Sequence, residues 1–145
     1  MDENGAYLTD LPIAGTLVGE NHDGWPAFVV AEFERNADNG RVGQRLLSET
    51  DRVRVWEIRL GPGERVPAHR HVLDYFWVAV TAGTGRQHIH DGTTREVSYQ
   101  SGEARQFVFG PGEYLLHDLE NIGTSELTFT TVEFLHGANQ PLPLS

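Results

Sequence analysis

Residues 61–83, GPGERVPAHRHVLDYFWVAVTAG, decide how the rest of the chain is read. A Gly-Pro-Gly turn opens the stretch, His69 and His71 follow with one residue between them, and the apolar run DYFWVAV leads to Gly83. Side chains two apart on a strand share a face, so each such pair can aim two imidazoles into one cavity at chelating separation. The aromatic and β-branched run after them has the composition of a core strand between turns.

Outward from this stretch the same alternation recurs. AFVVAEF (27–33), RVRVWEIRL (52–60), TREVSY (94–99), RQFVFG (105–110) and LTFTTVEF (127–134) read as strands. GPGE at 61–64, AGTG at 82–85, DG at 91–92 and GPGE at 110–113 punctuate them, because Gly tolerates positive φ and Pro presets its own. The pattern is that of an all-β sandwich or barrel, with no helix-period segment. In 52–60 the apolar face is Val53 and Val55, then Trp56, Ile58 and Leu60, so a β-bulge is expected between Val55 and Trp56. A second is expected between Phe129 and Val132, and bulges of this kind help a sheet curl into a barrel.

A chain of 145 residues is one domain with one core. The expected layout over 1–145 is an N-terminal arm at about 1–20, a barrel core at about 25–135, and a proline-bearing end, GANQPLPLS, that wraps the barrel or a neighbouring subunit. The start, MDENGAYLTD, has neither the positive charge nor the apolar stretch of a secretory signal, and no run is long enough to cross a bilayer, so a cytoplasmic protein without a membrane partner is expected. The net charge of -10 argues against nucleic acid as a partner. All eleven basic residues are arginine, which excludes a Schiff-base lysine. With no cysteine, a metal would be held by nitrogen and oxygen.

Seven histidines are present, and four form the pairs His69/His71 and His88/His90. His117, after the second Gly-Pro-Gly turn, lies in the apolar setting EYLLHDLEN. Gly63, five residues, His69, one residue, His71 and the apolar run to Gly83 resemble the first motif of the cupins. His117, three residues and Asn121, with Gly102, Pro111 and Gly112 upstream, resemble the second. The resemblance spans about residues 50 to 135. It implies a double-stranded β-helix, a jelly-roll barrel, with one divalent metal inside on His69, His71 and His117. The glutamate that family places after its second histidine is missing: Tyr75 and Phe76 stand there, and Asp74 would point to the opposite face. A fourth ligand could come from His88 or His90 if the AGTG turn closes a hairpin that brings their face inward. Otherwise they face solvent, as do His22 and His136.

A neutral histidine set leaves the ion its full charge, able to polarise a carbonyl or acidify bound water. Zinc is favoured over iron. Trp56, Tyr75, Trp77, Phe107 and Tyr114, with Phe76 and Phe109, are the expected lining, suited to an apolar or aromatic oxygenated small molecule, although core packing explains such residues equally well. Three functions follow in order. The first is a redox-neutral cyclase closing a poly-β-keto chain by aldol addition, as in the zinc cupin cyclases of aromatic polyketide biosynthesis, which the chain is similar to in length. The second is a three-histidine Fe(II) dioxygenase of diketones or phenols, which a fourth histidine ligand would disfavour. The third is a binding module without catalysis. A homodimer through sheet edges is the expected assembly.

Overall fold

The structure is a computed structural model and describes residues 11–144, so residues 1–10 of the expected arm lie outside the described residues. In chain order the elements are β1 (Thr16–Gly19), α1 (Ala27–Arg35), β2 (Arg45–Glu49), β3 (Val53–Leu60), β4 (Arg65–His71), β5 (Tyr75–Ala79), β6 (Gly83–His88), β7 (Thr94–Tyr99), β8 (Ala104–Phe107), β9 (Leu115–Asn121) and β10 (Leu127–Phe134). The strands form two antiparallel five-stranded sheets, ordered β1-β7-β6-β9-β4 and β2-β3-β10-β5-β8. Their facing sides enclose Ile58, Leu60, Val66, Ala79, Val97, Leu119, Leu127 and Phe129, the main core.

One segment read as a strand is a helix. AFVVAEF is β-branched and aromatic, yet in α1 the residues Val29, Glu32 and Phe33 are buried together, an i, i+3, i+4 face. Phe28 and Val30 point out at 58% and 40% exposure, and the adjacent Glu32 and Phe33 are both buried, which no half-buried strand alternation would give. Pro26 opens the helix, its missing N–H being no loss at a helix start. The buried face packs on Ala68 and Leu116, covering the outer side of the first sheet, with Trp25 and Tyr114 at its margin.

Of the two expected bulges, one lies in a partner strand and the other does not form. At Val55–Trp56 the slip in pairing lies in the partner strand, where Leu46 faces Trp56 and Ser48 faces Val55, leaving Leu47 as the extra residue in β2. β10 pairs with β3 and β5 without any shift. Its inward positions after Phe129 are Thr131 and Glu133, both buried, so apolar residues alone gave a false phase there. The AGTG turn does not close a hairpin either, because β5 and β6 belong to different sheets and the chain crosses between them. At the C-terminal end, Asn139 accepts from the Gly112 N–H and donates to the Val72 and Gly110 carbonyls, so this segment wraps its own barrel.

Candidate metal centre

The site is built where β4 meets β9. Val66 pairs with Leu119 and His69 with His117, so β4 carries one residue more than its partner between these points. Such a bulge reverses the alternation. Val66 packs in the barrel core, Ala68 turns outward beneath α1, and His69 and His71 turn inward again. The bulge also leaves the Pro67 carbonyl 2.8 Å from His69 Nδ1, which donates to it.

His117 faces His69 directly across the ladder. The three imidazoles stand with ring centroids 4.7, 5.0 and 5.1 Å apart. One nitrogen from each lies within 4.8 Å of the others. Two tautomers are fixed from behind. His117 Nδ1 donates to Gln87 Oε1 at 2.6 Å, as His69 Nδ1 does to Pro67, so in both rings the lone pair falls on Nε2. The Nδ1 of His71 is buried without a partner, and that ring lies flat on Tyr75 at 3.9 Å.

Burial lowers the basicity of all three rings, and repulsion from neighbouring histidines adds to it at His71 and His117, which are pushed furthest. The three are therefore neutral imidazoles at neutral pH, the state in which they bind a metal. An orphaned ring nitrogen in a dry site, neutral donors and tautomers set from outside together fit a divalent ion.

The cluster opens on a pocket whose wall is mostly apolar. Of the expected lining, Tyr75, Trp77 and Phe107 are there. Trp56 is fully buried beside the pocket and donates its indole N–H to Glu133 at 2.8 Å. Tyr114 lies on the outer face of the sheet, stacked on His90 at 4.5 Å with Arg70 over its ring at 3.9 Å. Phe76 tilts against Phe134, and Phe109 packs near Tyr75. Asp74 accepts from the Phe109 N–H at 2.9 Å, a structural contact.

His88 and His90 do not join the cluster. Gln87 and Ile89 face inward, and the period of two sends the pair outward. His88 Nδ1 meets Asp118 at 2.8 Å beneath Trp25. Asp118 in turn accepts from Arg65, which also binds Glu32 of α1 through both terminal nitrogens. Burial opposes the charge on Glu32, but the hydrogen bonds from Arg65 and the Ala68 N–H outweigh it and hold this carboxyl below its ordinary range. This network fastens the helix to the strands that carry the three clustered histidines. His22 packs edge-on against Trp25, and His136 Nε2 donates to the Asp51 carbonyl.

Sequence reading missed Gln87, Tyr99, Phe129 and Thr131, all in the pocket wall. Gln87 carried a usable signal, since it sits one residue out of phase with His88 and His90. Asn121, the last residue of the second motif, is structural: it donates to the Leu60 and Ser125 carbonyls and accepts from the Gly123 N–H.

No protein-family model matches this chain, and no curated protein is significantly similar to it. Solved structures do match. A cupin domain from Bordetella pertussis Tohama I is 26% identical over 62% of this chain and 88% of its own, with a TM-score of 0.54. An uncharacterised conserved protein with a double-stranded β-helix domain from Klebsiella pneumoniae is 20% identical over 66% of this chain and 78% of its own, with a TM-score of 0.52. An RmlC-like cupin family protein from Methanocaldococcus jannaschii is 21% identical over 62% and 76%, with a TM-score of 0.51. With its two facing antiparallel sheets, this chain has the double-stranded β-helix fold of the cupin superfamily.

Proposed function

We propose that the protein is a metal-dependent enzyme acting on an enolisable dicarbonyl compound with an apolar body, by redox-neutral chemistry of the polyketide-cyclase kind. The observation that carries this reading is three neutral imidazoles gathered, without a carboxylate among the described lining residues, at the wall of an apolar pocket. His69, His71 and His117 would hold one divalent ion, zinc ahead of iron, which supplies Lewis acidity toward a carbonyl oxygen. The imidazoles bring no negative charge, so the site favours a substrate that supplies one on losing its acidic proton.

The chain's own groups do the rest. Gln87 and the Pro67 carbonyl keep two rings oriented with Nε2 inward. Trp77, Phe107, Leu115 and Phe129 exclude water and leave a medium in which each polar contact counts for more. Burial raises the Tyr75 phenol far above its ordinary range and raises that of Tyr99 as well, so both stay protonated and bring no charge to the pocket.

A second reading, a three-histidine Fe(II) dioxygenase of a diketone or phenol, is favoured by the ligand count. His88 and His90 lie on the outer face, so the fourth-histidine objection to it falls away. Elemental analysis followed by loading with zinc or iron separates the two. Conversion of a poly-β-keto probe by the zinc protein, with loss of water and no oxygen uptake, supports the cyclase. Oxygen uptake by the iron protein with a 1,3-diketone establishes the dioxygenase instead. Full metal content in His71→Ala overturns both.

A further inference from the structure

The pocket contains polar groups that the metal cluster does not use. Tyr75 and Tyr99 are 2% and 5% exposed, yet neither hydroxyl has a hydrogen-bond partner among the described residues. Neither oxygen is sealed into the packing, since neither is among the fully buried polar atoms left without a partner. The space they reach is the pocket that both rings line. Thr131, 3% exposed and in the same wall, is likewise without a partner for its hydroxyl.

The two phenols come from opposite sheets, Tyr75 on β5 and Tyr99 on β7, and both rings line the same pocket. Tyr99 is given its reach by a glycine. A Cβ on Gly85 would lie 3.2 Å from Tyr99 Cε2 and 3.0 Å from Leu119 Cδ1, so the ring occupies the room that a side chain on β6 would fill. Tyr99 pairs with Gly83, and its ring leans along β6 to Gly85, two residues nearer the row where Ile89 meets His117. A hydroxyl open to the pocket has water or a bound ligand as its partner, so a ligand that displaces the water without replacing its hydrogen bond loses free energy. No arginine lines the pocket among the described residues and its histidines are gathered in the cluster, so the ligand group at the two phenols is neutral rather than anionic.

We infer that Tyr75 and Tyr99 form a second recognition point, which takes a further carbonyl oxygen of an uncharged substrate whose enolisable pair of oxygens lies at the histidines. This rests on the dicarbonyl reading of the site and extends it to a substrate with at least three oxygens along its chain. A substrate lacking the third oxygen leaves the hydroxyls unpaired and is selected against.

The test is calorimetric binding of heptane-2,4,6-trione and of heptane-2,4-dione, equal in length, to the zinc-loaded protein. The trione is expected to bind roughly fivefold or more tightly than the dione, the worth of a neutral hydrogen bond or two. In Tyr99→Phe this advantage should fall to near unity while dione affinity and zinc content stay as in the wild type. Thr131→Val and Tyr75→Phe, compared in the same way, guard against a Tyr99 variant that fails to fold. Equal affinities in the wild type, or an advantage that survives in both tyrosine variants, overturn the inference and leave the dicarbonyl reading standing. Binding of neither probe, or equal binding to the zinc-free protein, overturns the dicarbonyl reading and this inference with it.

Discussion

Replacing Glu133 by Gln should change how stability depends on pH. The Glu133 side chain is 3% exposed inside the barrel, where its Oε1 accepts from Trp56 Nε1 at 2.8 Å. Burial raises its pKa from 4.5 to about 7, although the Trp56 hydrogen bond and the Arg54 charge pull the other way. Between these two values the unfolded chain has released the proton and the folded chain still holds it. The unfolded state binds fewer protons, so stability falls as pH rises: the contribution is fully present below 4.5 and is lost as pH climbs through about 7. That span of about two and a half pH units, at about 1.4 kcal/mol each, comes to roughly 3 kcal/mol. The amide of Glu133→Gln would keep an oxygen for Trp56 and carry no charge at any pH. Urea unfolding of both proteins from pH 5 to 8 should therefore show the variant gaining on the wild type by about 2–3 kcal/mol across the range. The three buried histidines titrate alike in both proteins and cancel in the difference. A constant difference across that range would refute the assignment of a buried, proton-holding carboxyl.

Further outcomes follow from the cluster itself. Because burial lowers all three histidines below 6.5, and repulsion lowers His71 and His117 further, protons should displace a bound metal only at lower pH than free imidazole would suggest. Metal content measured after stepwise acidification should hold at pH 6 and fall beyond it, and complete release by about 6.5 would contradict the burial argument. His69→Ala or His71→Ala should lose the metal and keep the strand signature in circular dichroism, since the core is assembled from other residues. Gln87→Leu removes the acceptor of His117 Nδ1 and should weaken metal affinity by about 10- to 100-fold in a chelator competition, with Gln87→Glu restoring most of it. Gly85→Ala puts a methyl group against Leu119 and Tyr99 and should cost about 1–3 kcal/mol in unfolding experiments.

The sequence made β3, β5, β7, β8 and β10 and the three inward histidines legible, because a period of two and a His-x-His spacing both state which face a side chain takes. Three features were hidden for one physical reason: the signal lay in a partner strand or in polar residues. The bulge near Val55 belongs to β2, whose exposed Leu47 looks like any surface apolar residue. The phase of β10 is set by Thr131 and Glu133, polar residues in interior positions. His88 and His90 matched a chelating pair as well as His69 and His71 did, and only their register against β9 shows that Gln87 takes the inner place. The helix was missed because Val and Phe favour strands, and the burial of one helical face against the sheet outweighs that preference.

The bulge in β4 has a consequence for how such a site can be gained or lost. The ligand histidines and the core valine before them are in opposite phase, joined by a single unpaired residue near Pro67. Removing one residue there would restore unbroken alternation with Val66 and both imidazoles on the same inner face and His69 still opposite His117. Drawing the bulge straight with every residue kept would instead turn both imidazoles to the outer face, under the helix. The inward cluster therefore depends on where the extra residue is absorbed, and not on the spacing of the histidines alone.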